Sequence, residues 1–185
     1  LDPDHLSVYG LVYEPGTPLR RRRDRGVVQQ VDESLEADMV ALVQHRLARE
    51  GFEHYEISNW ARPGQRCRHN EVYWTNGNWW PLGPAAAGHV RGIRWRNQPR
   101  LGAWLDSTGA PPVTDREQLD LDGQLGEALM LGLRRLQGVS RALVNAAVAA
   151  PRRGPARGRA IDRHVEAGLL HWAQDALTLT SRGLM

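Results

Sequence analysis

A long amphipathic helix between two strand-like segments is the feature that most restricts the fold of this chain. From Asp32 to Arg49 the apolar residues recur at helical spacing, and Gly51 is placed to end the helix. The segment from His5 to Tyr13 has the alternation and β-branching of a strand, and so do residues 52–61, FEHYEISNWA. The order strand, helix, strand predicts a βαβ unit with a parallel sheet.

The second half of the chain predicts a separate domain. Residues 106–120, DSTGAPPVTDREQLD, have the composition of a linker. We therefore expect a domain boundary near Pro111 to Asp115, which divides the chain into domains 1–112 and 113–185.

Beyond that boundary the pattern is first helical and then strand-like. Helices are predicted from Leu121 to Leu136, from the N-cap Ser140 to about Ala149, and from Ala160 to Glu166, with an arginine-rich loop at residues 152–159. A strand pair is predicted around GLLHW and ALTLT. Three helices and a small hairpin are typical of a winged-helix domain, so the predicted fold class is α/β followed by α+β.

Composition indicates an ordinary soluble protein. No apolar run is long enough to cross a bilayer, and the single cysteine forms no internal disulfide, which favours the cytoplasm. The chain has no lysine, so all of its Lys+Arg residues are arginine, and a net charge of +3 is weak support for a nucleic-acid partner. Because the chain starts at Leu1 and enters a strand at once, we expect that an amino-terminal portion is missing.

The segment CRHNEVYW, residues 67–74, concentrates the side chains that could carry chemistry. One helical turn would bring Tyr73 beneath His69 and Trp74 beneath Asn70. A neutral imidazole can ligate iron, and aromatic rings can stack on a flat macrocycle. A purely structural interpretation stays open, in which backbone groups satisfy the His69 ring, Asn70 is an N-cap and Cys67 is inert.

A family resemblance rests on this segment and on three others. Residues 54–74, HYEISNWARPGQRCRHNEVYW, resemble the signature of HemW, the radical S-adenosylmethionine heme chaperone family related to oxygen-independent coproporphyrinogen III oxidase. The segments HLSVYGLVYEPGTPL, WWPLGPAAAGHVRGIRW and EALMLGLRRLQGVS are similar to further parts of the family, in the same order. The family's heme-associated motif falls on His69, Asn70, Tyr73 and Trp74.

The resemblance implies a fold and a set of cofactors. The chain is expected to comprise the late strands and helices of a partial (β/α) radical-SAM barrel, followed by a winged-helix-like C-terminal domain. The family's 4Fe-4S cluster is held by a three-cysteine loop that this chain lacks, so the cluster would belong to the full-length protein. S-adenosylmethionine is expected to touch Val12 and Ala87, although Ala87 stands where the family has His and its side chain can neither ligate nor hydrogen-bond.

The resemblance favours a heme chaperone over a turnover enzyme. The chain would bind heme with His69 as axial ligand to the iron, with Tyr73 and Trp74 shaping the pocket, and pass the heme to an acceptor protein that the sequence does not identify. One alternative is oxygen-independent coproporphyrinogen III oxidase, and another is a winged-helix nucleic-acid-binding module at residues 121–185. The oligomeric state stays open.

Overall fold

The computed structural model describes residues 2–109 and 112–184. These form two compact units, which we call unit 1 (residues 2–66) and unit 2 (residues 67–184). Unit 1 contains β1 (His5–Ser7), α1 (Pro18–Asp24), α2 (Glu33–Arg49), β2 (Glu53–Glu56) and β3 (Asn59–Ala61). Unit 2 contains α3 (Arg68–Trp74), β4 (Ala87–Val90), β5 (Ile93–Asn97), α4 (Leu101–Leu105), β6 (Val113–Gln118), α5 (Leu121–Gly132), β7 (Val139–Ser140), α6 (Arg141–Ala149), α7 (Gly154–Glu166), β8 (Leu170–Ala173) and β9 (Ala176–Leu179).

The sheet of unit 1 is antiparallel, so the predicted parallel βαβ unit is wrong. The strand order is β1-β3-β2, and both outer strands run antiparallel to β3. Residues 52–61, predicted as one strand, form a hairpin instead. The carboxylate of Glu56, which is fully buried, accepts hydrogen bonds from the Ser58 backbone at 3.0 Å and from the Asn59 side chain, and these bonds hold the turn.

The helix predicted from Asp32 to Arg49 is confirmed as α2, because both of its ends carry local stop signals. Asp32 is the N-cap and its side chain accepts from the Ser34 backbone at 2.8 Å. Gly51 follows the C-cap with φ +81°, a left-handed conformation that glycine adopts without strain. The Phe52 N–H then bonds to the Leu47 carbonyl at 3.0 Å, which closes the helix with a Schellman-type turn.

The apolar stripe of α2 is exposed in unit 1. Leu35, Met39 and Leu42 each expose more than half of their surface, and no described residue of α2 is buried. The described part of unit 1 therefore leaves this stripe uncovered.

The middle sheet of unit 2 has the antiparallel order β4-β5-β6. β6 spans Val113–Gln118 and pairs with β5, so the linker-like loop predicted at residues 106–120 is wrong over this strand. Ala110 and Pro111, where the predicted domain boundary begins, lie outside the described residues. The division into domains 1–112 and 113–185 stays a prediction.

The carboxyl-terminal part of unit 2 follows the predicted order of helices and hairpin. Helices α5, α6 and α7 pack with the sheet β7-β9-β8 around a buried apolar cluster: Leu129, Val139, Val144, Ala147, Leu170 and Leu177. α7 begins at Gly154, so the arginine-rich segment predicted as a loop is mostly helical. Pro155 in the first turn has the fixed φ that suits a helix start, a signal that the arginines obscured.

Loss of the N-cap of α6 is expected to destabilise unit 2. The Ser140 side chain accepts a hydrogen bond from the Leu143 backbone at 3.3 Å. Ser140→Ala should lower the free energy of unfolding by about 1 kcal/mol, whereas Ser140→Asp should restore most of the loss. Urea denaturation of both variants measures the difference. Equal stability of Ser140→Ala and the unaltered chain would contradict the capping role.

Among the described helices, none is both long enough and apolar enough to cross a bilayer.

Candidate functional site

The helix α3 carries the four residues of the predicted heme motif. Its N-cap is Cys67, which makes no side-chain cap bond, and the helix begins at Arg68. Asn70 therefore lies inside the first turn and is not the N-cap, so that structural explanation of Asn70 is wrong. The thiol of Cys67 is partly buried and unpaired with another cysteine.

His69 and Tyr73 contact each other along one face of α3, as their helical spacing predicts. The Tyr73 hydroxyl lies 3.3 Å from Nε2 of His69, and the two rings meet edge to face with centroids 4.7 Å apart. His69 itself is exposed. Its imidazole is therefore supported on one side and accessible on the other.

Two further rings extend this contact into what we call the aromatic ladder: His69, Tyr73, Trp79 and His89. The Tyr73 and Trp79 centroids are 4.5 Å apart, and those of Trp79 and His89 are 4.9 Å apart. Trp79 and His89 also exchange two backbone hydrogen bonds of 2.8 and 3.0 Å. The ladder thus runs from an exposed imidazole to a buried one.

His89 anchors the inner end of the ladder. It is 4% exposed, and its Nδ1 lies 2.7 Å from the carbonyl oxygen of Gly77. Because a carbonyl only accepts, Nδ1 donates in this hydrogen bond. Neither Trp79 nor His89 was predicted as a site residue from the sequence, although both lie in the family-like segment WWPLGPAAAGHVRGIRW. Their contact depends on the pairing of Trp79 with β4.

Trp74 is placed differently from His69. The guanidinium of Arg134 lies over its indole ring, 4.4 Å from the centroid. Glu71 in the same helix forms an ion pair with Arg135 at 3.2 Å. These contacts attach α3 to the segment that follows α5, so Trp74 holds the helix rather than extending the ladder.

The two residues predicted to touch S-adenosylmethionine lie in different units. Val12 in unit 1 is 67% exposed. Ala87 is exposed at the start of β4, and its carbonyl accepts a hydrogen bond from Nε1 of Trp79 at 2.9 Å. The Ala87 backbone thus helps to fix the ladder.

One cavity of about 150 Å³ lies in unit 2, beside His89, Arg94 and Glu127. Pockets for drug-sized ligands hold about 300–1,000 Å³, so this cavity is too small for a tetrapyrrole. His69 does not line it. His69 is instead exposed outside this cavity.

The residues present do not suit a resident metal cluster. Across the described residues, no group of three or more His, Cys, Asp or Glu side chains is arranged to hold a metal ion. The whole chain contains one cysteine, which is too few to hold an iron–sulfur cluster.

His54 in unit 1 gives the structure a pH dependence. Its ring stacks on Trp60 with centroids 4.2 Å apart, and burial lowers the pKa of His54 below its ordinary value, against smaller opposing effects of the Ile57 carbonyl and Glu56. The unfolded chain then binds the proton more tightly, so the free energy of unfolding should fall as the pH drops below about 6.5. Urea titrations across this range measure the slope. His54→Gln should reduce it, and an unchanged slope would contradict the assignment.

Known proteins resemble this chain in sequence and in fold. It is 40% identical over 182 residues to a protein of Mycobacterium tuberculosis named heme chaperone HemW, covering 97% of this chain and 44% of the relative. A Bacillus subtilis protein of the same name is 30% identical over 193 residues, covering 99% of this chain and 48% of the relative. The chain thus spans less than half the length of these relatives. No protein-family model matches it.

A solved structure shows the same fold at low sequence identity. Coproporphyrinogen III oxidase (HemN) from Escherichia coli, described as a radical SAM enzyme, aligns with a TM-score of 0.71 over 98% of this chain and 45% of that protein. The sequence identity is 14%, so the likeness supports the fold and not the activity.

Proposed function

We propose that this chain, which belongs to the HemW family as its resemblance predicted, supplies a heme-binding surface to a heme chaperone of the radical SAM superfamily. The observation that carries the proposal is the match to proteins named heme chaperone along 97% of the chain. The exposed His69 at the end of the aromatic ladder is the residue we assign to the heme iron. The complete protein would pass the heme to an acceptor protein in the cytoplasm.

The chemistry of His69 suits an iron ligand. Its imidazole is exposed, and the Nε2 contact with the Tyr73 hydroxyl, at 3.3 Å, is long for an O–H donor and easily exchanged for a metal bond. Tyr73 is held from behind by Trp79. The ladder therefore orients the imidazole before any ligand arrives, which lowers the entropy that binding costs.

Within the heme motif we propose a division of roles. His69 and Tyr73 face the ligand, whereas Trp74 fixes α3 through its contact with Arg134. Asn70, in the first turn of α3, remains a proposed heme contact. Heme would be the cargo and would bring its iron and its carboxylates to the site. The chain would contribute the imidazole that ligates the iron and the rings that orient this imidazole.

Contacts with S-adenosylmethionine at Val12 and Ala87 remain part of the proposal for the full-length protein. Both residues are exposed, which a contact with a cofactor held elsewhere requires. The 4Fe-4S cluster would be ligated by cysteines outside this chain, because the chain has only Cys67. On the same family resemblance we propose that the chain includes the late strands and helices of a partial (β/α) radical-SAM barrel.

We also propose a winged-helix-like domain from α5 onward, on the order of three helices and the β8–β9 hairpin. Nucleic-acid binding by this domain is not favoured. In the arginine-rich segment, Arg152 is paired with Asp120 at 2.6 Å and Arg157 with Asp122, which reduces the positive charge available to phosphates. The oxidase alternative ranks below the chaperone, since only the fold supports it.

Heme titration tests the proposal. The chain should bind heme saturably, with a Soret band distinct from that of free heme, and should release it to apo-myoglobin used as a probe acceptor. The control is the same titration with urea-unfolded chain, which should show no defined stoichiometry. A folded chain that binds no more heme than the unfolded control would overturn the proposal.

A further inference from the structure

We propose that Arg96 binds a carboxylate of the porphyrin beside the aromatic ladder. This inference rests on the proposed function, because it takes heme as the ligand of the surface at His69. It adds a recognition element for the porphyrin periphery, distinct from the group that meets the iron.

The strand register places Arg96 on the same face of the sheet as the ladder. Arg96 lies directly opposite Ala87 across the β4–β5 pair, and Arg94 lies opposite His89. Residues two apart on a strand share a face, so Ala87, His89 and Arg96 do so. Trp79 pairs with His89 and therefore belongs to this face as well.

Two hydrogen bonds show that Arg96 and Trp79 reach neighbouring points on the backbone. Nε of Arg96 donates to the Ala85 carbonyl at 3.2 Å. Nε1 of Trp79 donates to the Ala87 carbonyl at 2.9 Å. The guanidinium and the indole thus contact the same short segment, two residues apart, and Ala87 places only a methyl group beside them.

The charge of Arg96 is not neutralised by the protein. Arg96 is exposed, and within the described part of the chain no carboxylate forms an ion pair with it. Arg94, on the same strand and face, is paired with Glu127 and also lies 3.7 Å from Glu117. On this face the Arg94 guanidinium is therefore ion-paired, whereas the terminal nitrogens of Arg96 are available to a ligand.

The available guanidinium matches the chemistry of heme. Heme carries its iron at the centre and two carboxylates at one edge, so a bound heme needs both an iron ligand and a cation. Arginine binds carboxylates in a bidentate fork, with charge-assisted hydrogen bonds that are roughly twice as strong as neutral ones. In this proposal His69 supplies the iron ligand, and Arg96, opposite Ala87 on the face that carries Trp79, supplies the cation.

Heme binding to Arg96→Gln tests this inference against a matched control. Arg116 is also exposed, and it alternates with Glu117, so it lies on the opposite face of the same sheet. Arg96→Gln should bind heme about 10-fold more weakly, whereas Arg116→Gln should bind like the unaltered chain. The Soret band of Arg96→Gln should keep its position at saturation, because His69 is unchanged.

Heme dimethyl ester separates the carboxylate contact from other effects of the substitution. The ester lacks the negative charges, so the unaltered chain and Arg96→Gln should bind it with the same affinity. Equal heme affinity of the Arg96→Gln and Arg116→Gln variants, or an equal loss for heme and its ester, would overturn the inference and leave the proposed function intact. Failure of the unaltered chain to bind heme would overturn both.

Discussion

Replacement of His69 by alanine is expected to weaken heme binding by at least about 10-fold and to change the Soret band. Even groups that only orient a metal ligand cost about 10–100-fold in affinity when they are removed, so the ligand itself should cost no less. His69 is exposed and its side chain contacts Tyr73 on the same helix, so its loss should leave the fold intact. Optical titration with heme, with circular dichroism as a check on folding, measures the effect.

Two further variants make the His69 result specific. His164→Ala removes another exposed imidazole, on α7, and should leave heme binding unchanged. Tyr73→Phe keeps the edge-to-face contact with His69 but removes the hydroxyl near Nε2, so affinity should be equal or higher. Identical spectra and affinity for His69→Ala and His164→Ala would show that the iron ligand lies elsewhere.

The sequence predicts those parts of the fold whose causes are local. The ends of α2 follow from Asp32 and Gly51, which act within a few residues of their own positions. The start of α6 follows from Ser140 in the same way. The helical spacing of His69 and Tyr73 likewise fixes their contact, because residues four apart in a helix are neighbours on its surface.

Strand pairing is the part that the sequence did not predict. β3 lies between β1 and β2, and nothing in the apolar pattern of residues 52–61 marks the turn that the buried Glu56 carboxylate holds. The linker-like composition of residues 106–120 concealed β6 for a related reason. Val113–Gln118 is mostly exposed and polar, so only its pairing with β5 makes it a strand.

The candidate site depends on the same long-range pairing. Trp79 joins Tyr73 only because it pairs with His89, ten positions later, and Trp74 meets Arg134 only because α3 packs near α5. These contacts join residues that are distant in sequence, so periodicity gives no sign of them. The motif alone therefore identified the ligand candidate and Tyr73, but not Trp79 and His89, which complete the aromatic ladder.

Removal of the Arg157 side chain is expected to destabilise unit 2 by about 3–5 kcal/mol. The Arg157 and Asp122 side chains form an ion pair and are only 14% and 8% exposed. Arg157 also donates to the Asp122 carbonyl at 2.6 Å and to the Ala147 carbonyl at 3.2 Å, joining α5 to α6. Arg157→Ala would leave the Asp122 carboxylate buried, with the Arg153 backbone N–H at 3.0 Å still donating to it. Urea denaturation measures the loss.

Arg159→Ala is the matched control, since Arg159 is exposed on the same helix and should change stability by no more than about 0.5 kcal/mol. A large difference in stability between the two variants would mean that Arg157 stabilises the packing of unit 2. The basic composition of this segment would then not imply a nucleic-acid partner. Equal, small effects would mean that Arg157 is not required for packing. Its charge would then be available to a polyanion, and binding of duplex DNA should weaken steeply with salt.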